Sequence, residues 1–226
     1  MIETKNLQRS FKNGDVETRV LKGIDFTAGD GEFIAIMGRS GAGKSTFLYQ
    51  MSLLDEPTGG EIKIDGHNTH TMSENERMKF RLNMFGYVFQ DYALLPELTA
   101  LENVALPLLM QNHPKKSVYA QAAAALEGAG LGSRLHNLPS QLSGGEQQRV
   151  SISRAIAHKP KILFADEPTA NLDNESSRGI MEIFQGLHKH GQTIIMVTHE
   201  EEYAKLAGKI VQMDDGKIIS EVKNRG

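Results

Sequence analysis

The chain has 226 residues, 39% hydrophobic and 23% charged, with a formal net charge of −3. That is the composition of an ordinary globular domain with its own core, without a basic field to recruit nucleic acid or anionic lipid. Cysteine is absent, which excludes disulfides and thiolate metal sites and fits a reducing compartment.

The polar start, MIETKNLQRSFKNGD, has no apolar stretch of the signal-peptide kind, and no run is long enough to cross a bilayer. Any membrane role is therefore expected to come through a partner. Residues 1–30 alternate apolar and polar and end at Asp30-Gly31, a hairpin-type turn, and EIKID (61–65) is a short strand closed by Asp65-Gly66. Together they predict a small antiparallel sheet near the N-terminus. Residues 33–37 form a continuous apolar run before a Gly-rich loop, as a buried parallel strand does, and 44–54 reads as a helix. The segment 91–159 lacks strand signal and contains YAQAAAALEGAGL (119–131), rich in the strongest helix former. It predicts a helical insertion. KILFAD (161–166) and TIIMVT (193–198) read as two more buried strands, alternating with helices over 174–188 and 200–206. The chain closes as a hairpin turning at Asp215-Gly216. The expected class is α/β: a parallel-sheet core with an N-terminal antiparallel β-subdomain and a helical subdomain insertion. The boundaries follow as 1–90 with 160–226 for the core and β-subdomain, and 91–159 for the insertion.

Gly38-Arg39-Ser40-Gly41-Ala42-Gly43-Lys44-Ser45, continued by Thr46, fits the G-x-x-x-x-G-K-[ST] phosphate loop, with a strand before it and a helix after it. Its glycines let backbone N–H groups turn toward anionic oxygens, and the helix N-terminus points at the same charge. Lys44 is the candidate to reach the β- and γ-phosphates of ATP, and the Ser45 hydroxyl to ligate Mg²⁺. By itself the loop does not separate transport motors from kinases, GTPases or helicases. Asp166 ends a buried strand and is a candidate Mg²⁺ holder; Glu167, one residue on, is a candidate general base for the attacking water. LSGGEQQRV (142–150) begins with a good N-cap, Ser143, followed by two adjacent glycines that again expose N–H groups to an anion. His67 and His70 lie in a polar loop with no third metal ligand suggested nearby.

The phosphate loop, LSGGE, the ILFADE strand end, ANLD and a late histidine occur in the order found in ATP-binding subunits of ABC transporters, which the chain resembles along essentially its whole length. The resemblance implies the remaining assignments. Gln90, in YVFQD, matches the glutamine that touches Mg²⁺ and the γ-phosphate and starts the helical subdomain. Ser143, Gly144, Gly145 and Glu146 match the signature loop that contacts ATP held by a second copy of the protein, with Glu146 where glutamine is commoner. Asp173, closing ANLD (170–173), matches the loop that crosses the dimer interface. His199 matches the switch histidine, and Phe11 the aromatic that stacks on adenine. GYVFQDYALLPELTALENVALPLL (86–109) is similar to the subfamily of macrolide-export, lipoprotein-release, heme-export and cell-division ATPases. Within it the apolar Tyr92, Leu94, Leu95 and Leu98 suit either a core segment or a docking surface, with docking expected for part of the stretch. The implied protein is a motor subunit, peripheral at the cytoplasmic face of the inner membrane. It dimerises around two Mg-ATP and drives an integral membrane permease of few spans with a large extracytoplasmic domain, for export or extraction of substrate. The alternative is an ATPase that regulates a non-transporting membrane partner in cell division or cell-wall signalling.

Overall fold

A computed structural model describes residues 1–14 and 16–224. The chain divides into two compact units, Met1–Lys79 with Gly191–Gly226, and Phe80–His190.

In the first unit, β1 (Ile2–Asn13) and β2 (Val16–Ala28) pair antiparallel. With β4 (Gly59–Ile64) and β5 (His67–Asn68) they form a four-stranded antiparallel sheet in the order β2-β1-β4-β5. Ile2, Leu7, Leu21, Ile24, Ile62 and Ile64 are all buried; the odd spacings from Ile2 to Leu7 and from Leu21 to Ile24 break period-two alternation and coincide with irregularities in the β1–β2 pairing. Asp30-Gly31 does not turn a hairpin within this sheet. It carries the chain out of β2 into β3 (Phe33–Gly38), which belongs to a different sheet. There β3 pairs in parallel with β8 (Thr193–Val197) on one side and β9 (Lys209–Asp214) on the other, and β10 (Lys217–Lys223) returns antiparallel on β9. Phe33, Ile34, Ala35, Ile36 and Ile194 to Val197 are fully buried, which explains why these strands read as unbroken apolar runs. The helix α1 (Lys44–Met51) ends before residue 54, because the chain turns at Leu53, whose φ is 57°. A second helix, α2 (Glu74–Met84), begins in this unit, runs on past Lys79 into the second, and has no buried residue. Its start is fixed by a reciprocal pair instead: Ser73 N–H donates to Glu76 Oε2 at 2.8 Å, and Glu76 N–H to Ser73 Oγ at 3.3 Å. Without an apolar stripe it leaves little periodic signal in the sequence.

In the second unit, β6 (Phe85–Val88) and β7 (Ile162–Asp166) pair in parallel. Helices α3 (Ala100–Met110), α4 (Lys115–Gly128) and α5 (Gly144–Ile156) pack around Val104, Leu108, Val118, Ala122, Leu126 and Val150. The helix α6 (Asn174–Lys189) follows β7, and α7 (Glu201–Ala204), in the first unit, follows β8. α3 starts with a reciprocal cap between Thr99 and Glu102. Gly86 admits close packing of α5: a Cβ there would lie 2.2 Å from the Ala155 carbonyl.

Candidate functional site

The phosphate loop fills the step between β3 and α1. Gly43, the residue before the helix, has φ 92° and ψ 11°, a conformation that side chains disfavour. A Cβ on Gly43 would meet Leu21 Cδ2 and Val20 O at 3.1 Å, and one on Gly38 would lie 2.3 Å from Met213 O. The loop's path therefore depends on bare backbone at both ends. Gly216 N–H donates to Ala42 O at 3.1 Å, and Lys22 N–H donates to Gly216 O at 2.9 Å. The β9–β10 turn thereby braces the loop against β2. Lys44 is 7% exposed, and its Nζ donates to Gly38 O at 2.9 Å and Arg39 O at 3.0 Å, which ties the ammonium to the loop itself. In the β3–β8 register Ile36 faces Val197. Gly38 and His199 each lie two residues beyond that pair, so both leave the same end of one parallel pair, the end where α/β proteins bind ligands. Phe11, near the end of β1, is 44% exposed, with the Arg9 guanidinium 4.4 Å from its ring centroid.

The second unit repeats this geometry. Val88 faces Ala165 in the β6–β7 register; Gln90 and Glu167 each lie two residues past that pair, and Asp166 ends β7 only 4% exposed. Glu167 has φ 45°. That left-handed conformation turns the chain sharply off the strand and costs roughly 1–3 kcal/mol. Asn171 Nδ2 donates to Gln90 O at 3.1 Å and Gln148 Nε2 to Pro168 O at 2.7 Å. These bonds bind the segment after Glu167 to the glutamine loop and to the signature helix.

The signature loop is a tight helix start. Ser143 N–H donates to Glu146 Oε2 at 2.8 Å, Glu146 N–H to Ser143 Oγ at 3.3 Å, and Arg134 Nε to Glu146 Oε1 at 3.0 Å. The bond from the Ser143 backbone, aided by Arg134, holds the Glu146 carboxyl below its ordinary range. A Cβ on Gly144 would meet Tyr92 Oη at 2.9 Å, and one on Gly145 would meet Ser176 Oγ at 2.7 Å. Asp173 caps α6, accepting from Ser176 N at 2.8 Å and from Ser176 Oγ at 2.8 Å; those bonds lower its carboxyl pKa, the backbone one most. The carboxylates of Glu146 and Asp173 are thus engaged inside their own caps.

The loop from Gln90 to Thr99 is irregular, with Tyr92 at φ 63° and Ala93 at φ 48°, and three side chains hold it. Arg154, from α5, donates to Ala93 O at 2.6 Å and Tyr92 O at 2.9 Å. Asn103, fully buried in α3, accepts from Leu95 N at 2.8 Å and donates to the carbonyls of Leu95, Leu98 and Thr99 at 3.1, 2.9 and 3.1 Å. Asn171 holds its first residue. None of the three was legible from sequence, since each meets the loop through a fold contact. Leu94 packs on the helical core while Leu95 is 43% exposed, so the apolar stretch is divided between core and surface. A groove of about 250 Å³ lies alongside, lined by Phe85, Tyr87, Phe89, Pro107, Met110 and His158. His158 is held by Phe85 O at 2.9 Å, and burial pushes its pKa below the ordinary 6.5. Among the described residues no cluster of three or more His, Cys, Asp or Glu is arranged to hold a metal, and no helix is long and apolar enough to cross a membrane.

Residues 21–170 match the ABC transporter family. This chain belongs to that family. The cassette is an ABC-type transport ATPase. Phe11, Asp173 and His199 lie outside the matched segment. Over 97% of its length the cassette is 50% identical to an ABC transporter ATP-binding protein of Methanocaldococcus jannaschii, covering 98% of that protein. It is 46% identical to the lipoprotein-releasing system ATP-binding protein LolD of Aquifex aeolicus, covering 97% of it. It is also 46% identical to the macrolide export ATP-binding/permease protein MacB of Aggregatibacter actinomycetemcomitans, but spans only 35% of that longer chain. A solved dimeric ATP-binding cassette in a post-hydrolysis state, bound to ADP and Pi, superposes over 100% of both chains with a TM-score of 0.94 at 39% identity.

Proposed function

We propose that the cassette is the motor of a membrane permease, closing on ATP as a dimer and opening after hydrolysis, for export or extraction of substrate. The braced phosphate loop carries this reading. Its glycines and Lys44, with Arg39, Ser40, Gly41, Ala42 and Thr46, take the phosphates of ATP, and Phe11 takes the base. Glu167 accepts a proton from the attacking water, while His199 and Lys44 offset the charge that spreads onto the γ-phosphate. Ser143, Gly144, Gly145, Glu146 and Asp173 cap the ATP of a second copy, the engaged carboxylates contributing through the helix starts they fix. Ser45, Gln90 and Asp166 offer the hard oxygen donors that Mg²⁺ takes. When bound there, the ion would neutralise phosphate charge. The relatives named for macrolide export and lipoprotein release, and the dimeric cassette bound to ADP and Pi, support this reading. The partner is an integral permease of few spans with a large extracytoplasmic domain, which places the cassette at the cytoplasmic face of the inner membrane. The groove beside His158 is the apolar surface suited to receive it.

Glu167→Gln tests the assignment of the base. Its turnover is expected to fall roughly 10²–10⁴-fold, the weight of a general base, with ATP affinity kept. Hydrolysis at the normal rate would remove Glu167 from that role.

A further inference from the structure

Arg9 and Phe11 are two residues apart on β1, and their side chains share a face of the strand. The irregularity between them falls on the partner strand: Arg9 faces Leu21 and Ser10 faces Arg19, leaving Val20 as the extra residue. From Arg9 to Phe11 the alternation of β1 is unbroken, and the Arg9 guanidinium lies 4.4 Å from the Phe11 ring centroid. One ring face is thus covered, while the residue as a whole stays 44% exposed.

The guanidinium is itself tethered. Arg9 Nη2 donates to Asp55 Oδ1 at 2.7 Å, and Gln50 Nε2 donates to Asp55 Oδ2 at 2.8 Å. Gln50 is fully buried in α1, the helix that opens at the phosphate loop. Asp55 Oδ1 also accepts from Glu56 N at 2.8 Å. Arg9 Nε is buried with no hydrogen-bond partner among the described residues, so the ring and the single Asp55 contact orient the guanidinium. A chain of contacts runs from the phosphate-loop helix through Gln50, Asp55 and Arg9 to the Phe11 ring.

We propose that Arg9 is a positioning residue for nucleotide binding, resting on the reading that Phe11 stacks on the base. It backs the ring on one face, leaves the other for the purine, and ties the stacking platform to the helix that carries the phosphate loop. A cation over the ring draws on its negative face, and the planar guanidinium leaves a flat, stiff plate for the base to meet. The tether holds base platform and phosphate cradle at a set separation before the ligand arrives.

The experiment is calorimetric titration of ATP, and separately of inorganic tripolyphosphate, into the full chain and its Arg9→Met, Asp55→Asn, Phe11→Ala and Arg9→Met/Phe11→Ala variants, with kcat measured in parallel. Met keeps an apolar stem against the ring without the charge or the plane. Arg9→Met should weaken ATP about two- to fivefold, the size of a cation–π contact at a partly exposed site. Tripolyphosphate affinity and kcat should not move, and the effect should vanish when Phe11 is already Ala. Asp55→Asn should give a smaller loss of the same pattern, and it stands in if Arg9→Met fails to fold. Equal losses for ATP and tripolyphosphate would mean that Arg9 acts on the phosphate loop or the fold at large, overturning the proposal. If Phe11→Ala weakens ATP while Arg9→Met does not, this inference falls alone. If Phe11→Ala has no effect, the base-stacking reading falls and takes the inference with it.

Discussion

A glycine in the phosphate loop is dispensable or not according to what lies beside its missing side chain. At Gly41 a Cβ would meet nothing within 4 Å, so alanine there carries only the strain of its φ of 78°, about 1–2 kcal/mol. At Gly38 the same atom would lie 2.3 Å from the Met213 carbonyl in β9, and backbone cannot step aside as a flexible side chain does. Gly38→Ala is therefore expected to abolish measurable ATP binding, and Gly41→Ala to weaken it by no more than about thirtyfold. Equal affinities for the two variants would show that the β9 contact does not shape the loop. Gly38 and Gly41 both belong to a motif that is plain in the sequence, yet the sequence does not rank them. The ranking comes from β9, far along the chain.

Among the elements, the long strands and the helical segment were legible because their signals are local. The apolar runs of β3, β7 and β8 match strands buried on both faces, and the alanine-rich stretch lies on α4. Three elements escaped. α2 carries Met78, Phe80, Leu82 and Met84 but buries none of them, so its cap rather than a buried stripe defines it, while β5 is two residues long and β6 four. The glutamine loop is the clearest case of structure decided elsewhere. Its backbone groups are satisfied by Asn103, Arg154 and Asn171 rather than by a ladder. Asn103→Ala should leave the Leu95 N–H and the Leu98 carbonyl short of a partner, while Leu95 O and Thr99 O keep the N–H groups of Leu98 and residue 103, and destabilise the second unit by about 2–3 kcal/mol. Chemical denaturation would measure it; a loss under about 0.5 kcal/mol, the scale of a surface substitution, would mean that the loop is held by other contacts.

At the scale of the whole molecule, packing against Tyr92 and Ser176 accounts for the bareness of Gly144 and Gly145 in the signature loop within one copy, but not for a pair of N–H groups that have no intrahelical partner. The two glycines sit at a helix start, where N–H groups favour an anion. A prediction follows for the assembled state. With Glu167→Gln to slow hydrolysis, ATP should convert the protein to a species of doubled mass in light scattering. Adding Ser143→Asp keeps an N-cap of comparable quality but sets a negative charge against the incoming phosphate. That double variant should bind ATP and remain monomeric. A dimer of undiminished stability would show that the signature loop does not meet the nucleotide of a second copy.

The amino-acid order by itself determined the class, the nucleotide chemistry and the family. Those depend on residue types at fixed spacing: a Gly-rich loop between an apolar strand and a helix, a carboxylate pair at a strand exit, and LSGGE before a helix. Each is a local pattern that the chain must carry wherever it folds. Only the tertiary structure decided which backbone atoms crowd Gly38 and Gly216, that Arg154 and Asn103 hold the glutamine loop, that Glu146 and Asp173 cap their own helices, and that Arg9 covers Phe11. Most of these are meetings of residues distant along the chain, and even the near ones, Ser143 with Glu146 or Arg9 with Phe11, need side chains turned toward each other. Such contacts form only when buried apolar surface has brought the elements together, and no spacing rule records them.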